Sequence, residues 1–448
     1  MKVGLKWKVA FAIITLIAFA GLFWKPVVDI PNTGEFLSEE NIVNSDVAWI
    51  LAAAGLVLLM TPGLSFFYGG MVGKRNVIST MLQSFIALGV ISILWVVVGF
   101  SLSFGESLGF KINGEHYGII GNPLSYPFFN HVGAFPHKDM ASTIPFVLFA
   151  LFQMKFAVIT PALVTGSFAE RVRFISYLLF MILFSLIIYT PLCHMVWHPE
   201  GLLNKYFGVK DFAGGTVVHM SAGFAALAGA LVIGKRKNRE HKPANIPFVI
   251  LGTGMLWFGW FGFNAGSALG ANTTAALAFG TTTIASASGM MTWILFDRIN
   301  GRSVSAMGAC IGAVVGLVAI TPACGFVTVP ESIFFGFITA IISNMAMYWK
   351  GLKRIDDTLD VFACHGVGGI MGMILTAIFA HGENASLLHG GLNSFIHHII
   401  ALFFVSVFTF FGAITLFYLT NKMIHLRVSD RAEFDGLDLS QHKETING

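Results

Sequence analysis

The sequence predicts an all-α membrane protein with eleven transmembrane helices, arranged as a five-plus-five inverted repeat plus one extra helix. Two observations lead to this prediction. Of the 448 residues, 55% are hydrophobic and 11% are charged, whereas a soluble domain carries about 25% charged residues. Apolar runs also recur along the whole chain, with no polar segment of domain size between them. The net charge of +4 is too small to indicate a nucleic-acid partner.

The amino-terminal segment has the pattern of a secretory signal. Lysines within the first eight residues precede an apolar run from Val9 to Trp24, which contains the small-x-small sequence Ala18-Phe-Ala20. A signal peptidase reads such a pattern. We expect cleavage after Ala20, so that residues 1–20 are a signal peptide. A retained signal anchor is the alternative, because the run is short for a membrane span but not impossibly so.

Eleven apolar stretches follow, and each is long enough for a helix that crosses about 30 Å of hydrocarbon. Glycine supplies 49 of the 448 residues, which suits helices that approach one another closely in lipid. The predicted spans are 46–72, 77–104, 141–169, 174–197, 212–234, 247–270, 273–296, 303–321, 331–349, 359–381 and 396–424.

Basic residues set the predicted orientation. Lysine and arginine gather in every second loop, most densely at 235–239, and the positive-inside rule places such loops in the cytoplasm. The mature amino terminus is then outside and the tail inside, as an odd number of spans requires. We expect a multi-pass protein of the cell (inner) membrane, with a membrane domain at 21–424 and a cytoplasmic regulatory tail at 425–448. The other basic loop residues are Lys74, Arg75, Arg171, Arg173, Arg298, Arg302, Lys350, Lys353 and Arg354.

The fifth and tenth predicted spans resemble each other. One begins at Asp211 and reaches His219, and the other begins at Asp360 and reaches His365. Two repeats with an odd number of helices each are inverted in the membrane. The two histidines are therefore expected to meet near a pseudo-two-fold axis, while the eleventh span braces the bundle.

His219 and His365 are candidate functional residues, because an ionisable side chain inside a membrane span is costly. Their sequence neighbours supply no carboxylate within one helical turn, so both imidazoles should stay neutral. The rings could hydrogen-bond to each other and present their remaining nitrogens to a small polar solute. In the alternative, each histidine only bonds a neighbouring backbone group.

Aromatic residues indicate what that solute is. Trp197 ends the fourth span, Phe156 lies in the third, and Phe263 and Ser267 close the sixth. Aromatic faces attract compact cations by about 0.5–2 kcal/mol, and a serine hydroxyl accepts hydrogen bonds. A cation that donates hydrogen bonds satisfies both demands. The alternatives are ordinary packing for the phenylalanines and a membrane-interface position for Trp197.

Carboxylates near the span termini have simpler expected roles. Asp211 and Asp360 stand where an acidic side chain can cap a helix, and Asp211 could also bias the outer mouth toward cations. Asp356 and Asp357 are expected in a solvated loop with Arg354. The four cysteines form neither a disulfide framework nor a zinc pattern.

The segments Asp211–His219 (DFAGGTVVH) and Gly259–Ser267 (GWFGFNAGS) closely resemble signature segments of Amt-type ammonium transporters, in the Amt/Mep/Rh family. The resemblance covers roughly residues 45–442. It implies a homotrimer with one pore per subunit, which takes ammonium and methylammonium and uses no cofactor or metal. Further matching segments are PGLSFFYGG at 62–70, GSFAER at 166–171, HMVW at 194–197, TPACG at 321–325, DVFACHG at 360–366 and GLD at 436–438.

The resemblance also implies roles for individual residues. Trp197 and Ser267 match the outer cation-recruitment site, and Phe156 and Phe263 match the stacked aromatic gate below it. The two candidate histidines match the twin histidines of the pore, which the substrate passes after deprotonation. The polar tail, Ser429 to Gly448, is similar to the segment that cooperates with a PII-type signalling protein.

One residue departs from the family pattern. Lys155 immediately precedes Phe156, where relatives have a small or uncharged residue. Its helical angle differs from that of Phe156 by about 100°, so we expect a side-facing lysine that pairs at a helix or subunit interface. If it pointed into the path instead, its charge would oppose ammonium entry.

Two other functions compete with transport. An ammonium receptor would use the same binding site, but no signalling domain follows residue 425, which favours transport. An intramembrane enzyme would need a catalytic motif, and no His-Glu-x-x-His, Gly-x-Ser-x-Gly or carboxylate pair occurs within a span. His194 and His198 have the spacing of metal ligands, but Pro199 ends that helix and no third ligand is evident.

Overall fold

A computed structural model describes residues 4–23, 34–237, 242–349, 351, 354–383 and 385–446. A helical segment coincides with each predicted span, and the fold is predominantly helical, which confirms the predicted class. Ten helices of the described chain are long and apolar enough to cross a membrane, namely the amino-terminal helix Leu5–Phe23 and nine of the predicted spans. Of the other two predicted spans, Ala306–Ile320 is a shorter apolar helix, and Thr273–Ile299 is long but less apolar. Lys350 and Lys353 lie outside the described residues, as do Trp24, positions 238–239 and the last two residues of the tail.

The helical segments at the predicted spans are Asn44–Met71, Val77–Phe104, Phe146–Phe168, Phe174–Trp197, Gly215–Ile233, Ile246–Gly266, Thr273–Ile299, Ala306–Ile320, Val329–Tyr348, Phe362–Phe379 and Leu392–Met423. A further helix, Leu5–Phe23, forms the amino-terminal apolar run, and none of its residues is buried. Its exposure agrees with a segment that is not part of the packed bundle. Cleavage after Ala20 stays a prediction.

Three spans begin later than predicted because the local backbone cannot be helical there. The third begins at Phe146, directly after Pro145, since proline pushes the residue before it into extended conformation. The fifth begins at Gly215, after Gly214 with a φ of 119°. The tenth begins at Phe362, because Asp360 has a φ of 53°. Left-handed residues interrupt a right-handed helix.

The first helix of each half packs against the first helix of the other half. Asn44–Met71 and Ile246–Gly266 share an extensive contact, and glycine makes it close: a Cβ added to Gly252 would stand 2.6 Å from the carbonyl oxygen of Gly63. The segments that carry the two histidines, Gly215–Met220 and Phe362–Val367, also contact each other. This pairing agrees with an inverted repeat.

A β-hairpin between the second and third spans was not predicted. Strands Ser107–Ile112 and Glu115–Gly121 pair antiparallel, and their turn, Asn113-Gly114, has φ values of 52° and 87°. Asn-Gly is the favoured sequence for such a turn. The hairpin marks one end of the bundle, which we call the hairpin side, and the end that carries residues 425–446 is called the tail side.

Candidate functional site

On the hairpin side, the four residues predicted for the outer site and the gate lie together. Phe156, Trp197 and Ser267 line a cavity of about 230 Å³, called the vestibule below. The rings of Phe156 and Trp197 meet edge to face at 5.7 Å between centroids. The rings of Phe156 and Phe263 lie 4.3 Å apart, so they close the floor of the vestibule.

Ser267 points its hydroxyl at the protein rather than at a solute. Its Oγ donates to the carbonyl oxygen of Phe263 at 2.8 Å. A hydroxyl that donates to a helix carbonyl keeps its lone pairs free to accept. The Ser267 oxygen is therefore left as a hydrogen-bond acceptor in the wall of the vestibule.

Below the aromatic floor lie the two histidines. Nδ1 of His365 is 3.3 Å from Nδ1 of His219, and the two rings lie 5.3 Å apart, inclined by 26°. Their side chains are buried, and Nε2 of His219 has no protein partner. The sequence placed these residues in separate halves, and the structure brings them into contact.

The space beside the histidines is narrow and apolar. Its volume is about 10 Å³, which is close to the smallest cavity that holds one water molecule. Phe263, His219 and His365 line it, and every other residue of its wall is apolar or aromatic. A single ammonia-sized molecule fits such a space, whereas an ion with its hydration shell does not.

Each histidine sits in a π-helical turn, Gly215–Met220 for His219 and Phe362–Val367 for His365. Such turns occur frequently at functional sites, although this chain also has π-helical turns elsewhere, for example at Trp95–Gly99. Close backbone contact joins them, because a Cβ added to Gly223 would stand 3.0 Å from the carbonyl carbon of His365. The crossing of these two helices therefore fixes the spacing of the imidazoles.

Asp211 holds two parts of the site in place. Its Oδ1 accepts the N–H groups of Gly214 and Gly215 at 2.8 and 2.6 Å, and its Oδ2 accepts the N–H and hydroxyl of Thr216. Its carbonyl oxygen accepts Nε1–H of Trp197 at 3.0 Å. Both carboxylate oxygens of Asp211 accept hydrogen bonds at the start of the helix, so the carboxylate acts as a helix cap and is not turned toward a cation.

Trp260 lines the cavity beside the two histidines, and it is not among the residues predicted for the site. Its ring stacks on His219 at 5.4 Å and 22°, and its Nε1–H donates to the hydroxyl of Thr321 at 2.9 Å. Trp260 lies in the segment Gly259–Ser267. A tryptophan, which has an N–H donor, three residues before Phe263 in that segment was the sequence feature that could have indicated its position beside the site. The Trp260 ring fixes the plane of His219.

Lys155 does not point into the path. It is half-buried, and it lines neither the vestibule nor the cavity beside the histidines. Within the described ranges it has no hydrogen bond or ion pair. The alternative in which its charge opposes ammonium entry therefore has no support in the geometry.

His194 and His198 are not arranged as metal ligands. Nε2 of His194 contacts the hydroxyl of Ser107 at 2.7 Å, and its Nδ1 contacts the carbonyl oxygen of Ser103 at 3.0 Å. Both ring nitrogens are thus used within the protein. Among the residues that the structure describes, no group of three or more potential ligands is placed to hold a metal.

On the tail side, the prediction that Asp356 lies in a solvated loop with Arg354 is wrong. This residue is 7% exposed and pairs with Arg236 at 2.8 Å, while Arg354 is exposed. Burial alone would raise the pKa of Asp356, but Arg236 and Arg171 lower it to about 2. Hydropathy could not reveal this partner, because Arg236 comes from a loop 120 residues earlier.

Asp357, also expected in that loop, caps the helix of His365. Its Oδ2 accepts the N–H of Phe362 at 2.8 Å. Asp360, which we predicted as the capping residue, lies two residues before this helix in a left-handed conformation. The carboxylate that stabilises the start of the helix is therefore three residues earlier than predicted.

The tail packs against the helix ends on its own side. Asp438 accepts the N–H groups of Ile78 and Ser79 at 3.1 and 2.7 Å, so it caps the second span. Glu433 accepts the N–H of Lys237 at 2.6 Å. The Gly-Leu-Asp segment thus holds the tail against the helix bundle through these hydrogen bonds.

Membrane-spanning helices around a narrow apolar cavity with two buried histidines define a multi-pass membrane protein. The sequence pattern of the Ammonium Transporter Family matches residues 48–446. The chain belongs to this family, which consists of transport proteins rather than enzymes.

Comparisons with individual proteins agree. The chain is 41% identical to an ammonium transporter of Bacillus subtilis, over 89% of this chain and 97% of that protein. Its fold matches the crystal structure of Candida albicans Mep2 with a TM-score of 0.80 and 31% identity, over 88% of both chains. It also matches a structure described as a sensor Amt protein, with a TM-score of 0.80 and 30% identity, over 90% of this chain and all of that one.

Proposed function

We propose that this protein transports ammonium by recruiting the cation at Trp197 and Ser267, releasing its proton near the Phe156–Phe263 gate and passing ammonia along His219 and His365. The observation that carries the proposal is the unbroken order of contacts from Trp197 through the gate to the histidines. A solute that leaves the vestibule along this line meets each group in turn.

The charge of the substrate explains why a proton must leave. A bare ammonium ion in a narrow apolar cavity faces a desolvation penalty of several kcal/mol or more, and the cavity has no room for its hydration water. Neutral ammonia avoids that penalty. Aromatic faces and the Ser267 hydroxyl stabilise the cation above the gate, where the vestibule, at about 230 Å³, is large enough to accept hydration water as well.

The histidine pair supplies hydrogen bonds of both kinds to ammonia. In a contact between two Nδ1 atoms, one ring donates and the other accepts, so one Nε2 is an acceptor and the other carries a hydrogen. Ammonia both donates and accepts, so it is a suitable guest. If the proton crosses too, the same pair serves as a relay, because each ring accepts at one nitrogen while donating at the other.

Current measurements on purified protein in a supported membrane test the proposal. An ammonium pulse should give a current in the wild type, and His219→Ala or His365→Ala should lower that current more than it lowers ammonia conduction. His425→Ala is the control, since His425 is exposed and lies beyond the last span. Wild-type current and wild-type discrimination against K⁺ in both alanine variants would leave the pair only a structural role.

Ammonium sensing is the second candidate function, and the likeness to the sensor Amt structure favours it. A sensor would bind ammonium at the vestibule with little or no passage. Proteoliposome uptake separates the two functions: binding of methylammonium without uptake indicates a sensor, and uptake indicates a transporter.

We propose that the tail side is cytoplasmic and the hairpin side external. The basic residues Arg171, Arg236 and Lys237 lie on the tail side, which the positive-inside rule assigns to the cytoplasm. The docked tail is then available to a PII-type signalling protein. Truncation after Arg427 should weaken that regulation, and equal PII binding with and without the tail would remove its proposed role.

We also propose assembly as a homotrimer in the membrane. An apolar groove of about 960 Å³ runs between Thr273–Ile299 and Val329–Tyr348, and several of its large side chains, such as Ile333 and Leu295, are more than half exposed. Burial of such a face against a neighbour or lipid is favourable. Native mass spectrometry of the detergent-purified protein measures the number of subunits.

A further inference from the structure

The last span, Leu392–Met423, contacts the segment before Asp211 through a buried histidine. His398 lies in the second turn of this helix, and its side chain is 0% exposed. Nε2 of its ring accepts the backbone N–H of Lys210 at 2.9 Å. The contact joins the last span to the segment that enters the cation site.

The hydrogen bonds of His398 fix its tautomer. Its Nδ1 lies 2.8 Å from the carbonyl oxygen of Ser394, and a carbonyl oxygen only accepts. Nδ1 therefore carries the hydrogen, and Nε2 is the acceptor, as in a neutral imidazole. Both nitrogens are used, so the ring holds one orientation and offers Lys210 a fixed acceptor.

The peptide that follows Asp211 is bonded at both of its ends. The carbonyl oxygen of Asp211 accepts Nε1–H of Trp197 at 3.0 Å. The N–H of Phe212 donates to the carbonyl oxygen of Pro322 at 3.0 Å. These two groups belong to one planar peptide and point in opposite directions. The orientation of that peptide therefore sets the position of the Trp197 ring, and the bond from His398 holds the chain at Lys210, just before it.

The carboxylate of Asp211 is held separately. It accepts four hydrogen bonds at the start of Gly215–Met220, and none of them comes from the last span. Loss of the bond from Lys210 to His398 should therefore disturb the Asp211 carbonyl and the Trp197 ring, while the helix that carries His219 keeps its cap.

We propose that His398 is a positioning residue for the cation site: it holds the backbone before Asp211 so that Trp197 faces the vestibule. The Trp197 ring meets that of Phe156 edge to face at 5.7 Å, and a ring turned away would lose this contact. The last span lines neither the vestibule nor the cavity beside the histidines, yet through His398 it takes part in recruitment. The inference rests on the proposed recruitment of ammonium at Trp197.

Methylammonium uptake into proteoliposomes tests the inference through His398→Leu and His398→Gln. Leucine accepts no hydrogen bond, so half-saturation should rise roughly fivefold, as expected for the loss of one hydrogen bond. The maximal rate should stay within about twofold, because the gate and the histidine pair are unchanged. Glutamine places an amide oxygen about as far from the backbone as Nε2, so it should restore the wild-type half-saturation.

The matched control is His397→Leu. His397 precedes His398 on the same helix, and its ring packs edge to face on Phe207 at 5.5 Å. Half-saturation should not change in this variant. An equal rise in the two leucine variants would overturn the inference, because any change in this turn of the helix would then have the same effect.

Combination of His398→Leu with Trp197→Leu separates positioning from general damage. If His398 acts through Trp197, the double variant should have the half-saturation of Trp197→Leu alone, because both changes remove the same interaction. Effects that multiply in the double variant would overturn the inference, since His398 would then act independently of Trp197.

Two further outcomes distinguish this inference from the proposed function. A rise in Trp197→Leu with no change in His398→Leu overturns the inference and leaves recruitment at Trp197 supported. No change in Trp197→Leu contradicts the recruitment site itself, and the inference with it.

Folding and transport each have an alternative measurement. If His398→Leu does not fold, His398→Asn replaces it, because asparagine keeps a donor for Ser394 but is too short to reach Lys210. If the wild type binds methylammonium without uptake, transport is contradicted, and the same comparison of variants is made by equilibrium binding to the purified protein.

Discussion

Nδ1 of His219 and Nδ1 of His365 lie 3.3 Å apart, although 146 residues separate them in the chain. Only one hydrogen fits between these two nitrogens, so the rings must be different tautomers at any moment. One Nε2 is then an acceptor and the other a donor. An exchange of roles requires the transfer of a proton, which links the geometry to charge movement.

Replacement of His365 by Glu should alter selectivity rather than abolish current. A carboxylate stabilises a cation inside the pore, so K⁺ should begin to pass and the ratio of ammonium current to K⁺ current should fall. Currents in a supported membrane measure both ions. His425→Glu places the same charge change outside the bundle, and an equal loss of discrimination in that variant would contradict the role of His365.

Replacement of Trp197 by Leu should weaken recruitment. Loss of an aromatic face worth about 0.5–2 kcal/mol raises the half-saturation for methylammonium by roughly two- to thirtyfold. Uptake into proteoliposomes measures it. Trp349→Leu is the control, because Trp349 is 64% exposed and does not line the vestibule. Unchanged half-saturation in Trp197→Leu would show that the recruitment role is wrong.

Replacement of Asp211 by Ala should destabilise the protein, because the carboxylate accepts four hydrogen bonds. Loss of several charged bonds at a buried cap costs roughly 3 kcal/mol or more. Thermal unfolding of the detergent-purified protein measures it. Asp46→Ala removes a carboxylate that accepts the N–H of Ala271 near the surface, so its melting temperature should fall much less.

Replacement of Gly436 by Ala should release the tail. Gly436 has a φ of 94°, and a Cβ there would stand 2.6 Å from the carbonyl oxygen of Arg75. Limited proteolysis should cut the tail of the variant faster than that of the wild type. Gly55→Ala is the control, since a Cβ at Gly55 meets nothing within 4 Å. Equal cleavage rates in all three proteins would contradict the proposal that Gly436 allows the tail to pack against the bundle.

Replacement of Lys155 by Met should leave ammonium current unchanged within about twofold, because Lys155 lines neither cavity of the path and methionine fills a similar volume. Subunit assembly is the property expected to respond if the lysine pairs at an interface. A several-fold rise in current would place its charge in the path. Currents and native mass spectrometry of one preparation separate the two cases.

Hydropathy, charge and a few sequence segments determined much of this protein. Long apolar runs favour a membrane environment, so the membrane class and the positions of the helical segments followed from the order of residue types. The side of each basic loop stays a prediction of the positive-inside rule. The resemblance to a transporter family indicated which residues we propose for the vestibule, the gate and the pore. Hydropathy, charge and short sequence motifs belong to single positions or short segments of the chain, so they can be read before the chain folds.

Contacts between distant segments were decided only by the tertiary structure. The pairing of Asp356 with Arg236, the side-facing position of Lys155 and the stacking of Trp260 on His219 depend on how helices cross and rotate. A cavity of about 690 Å³ on the hairpin side depends on four segments that meet in space, 35–36, 104–107, 125–140 and 198–200. Hydropathy reports how apolar each segment is and does not encode which faces touch, because packing depends on the shapes of both partners at once.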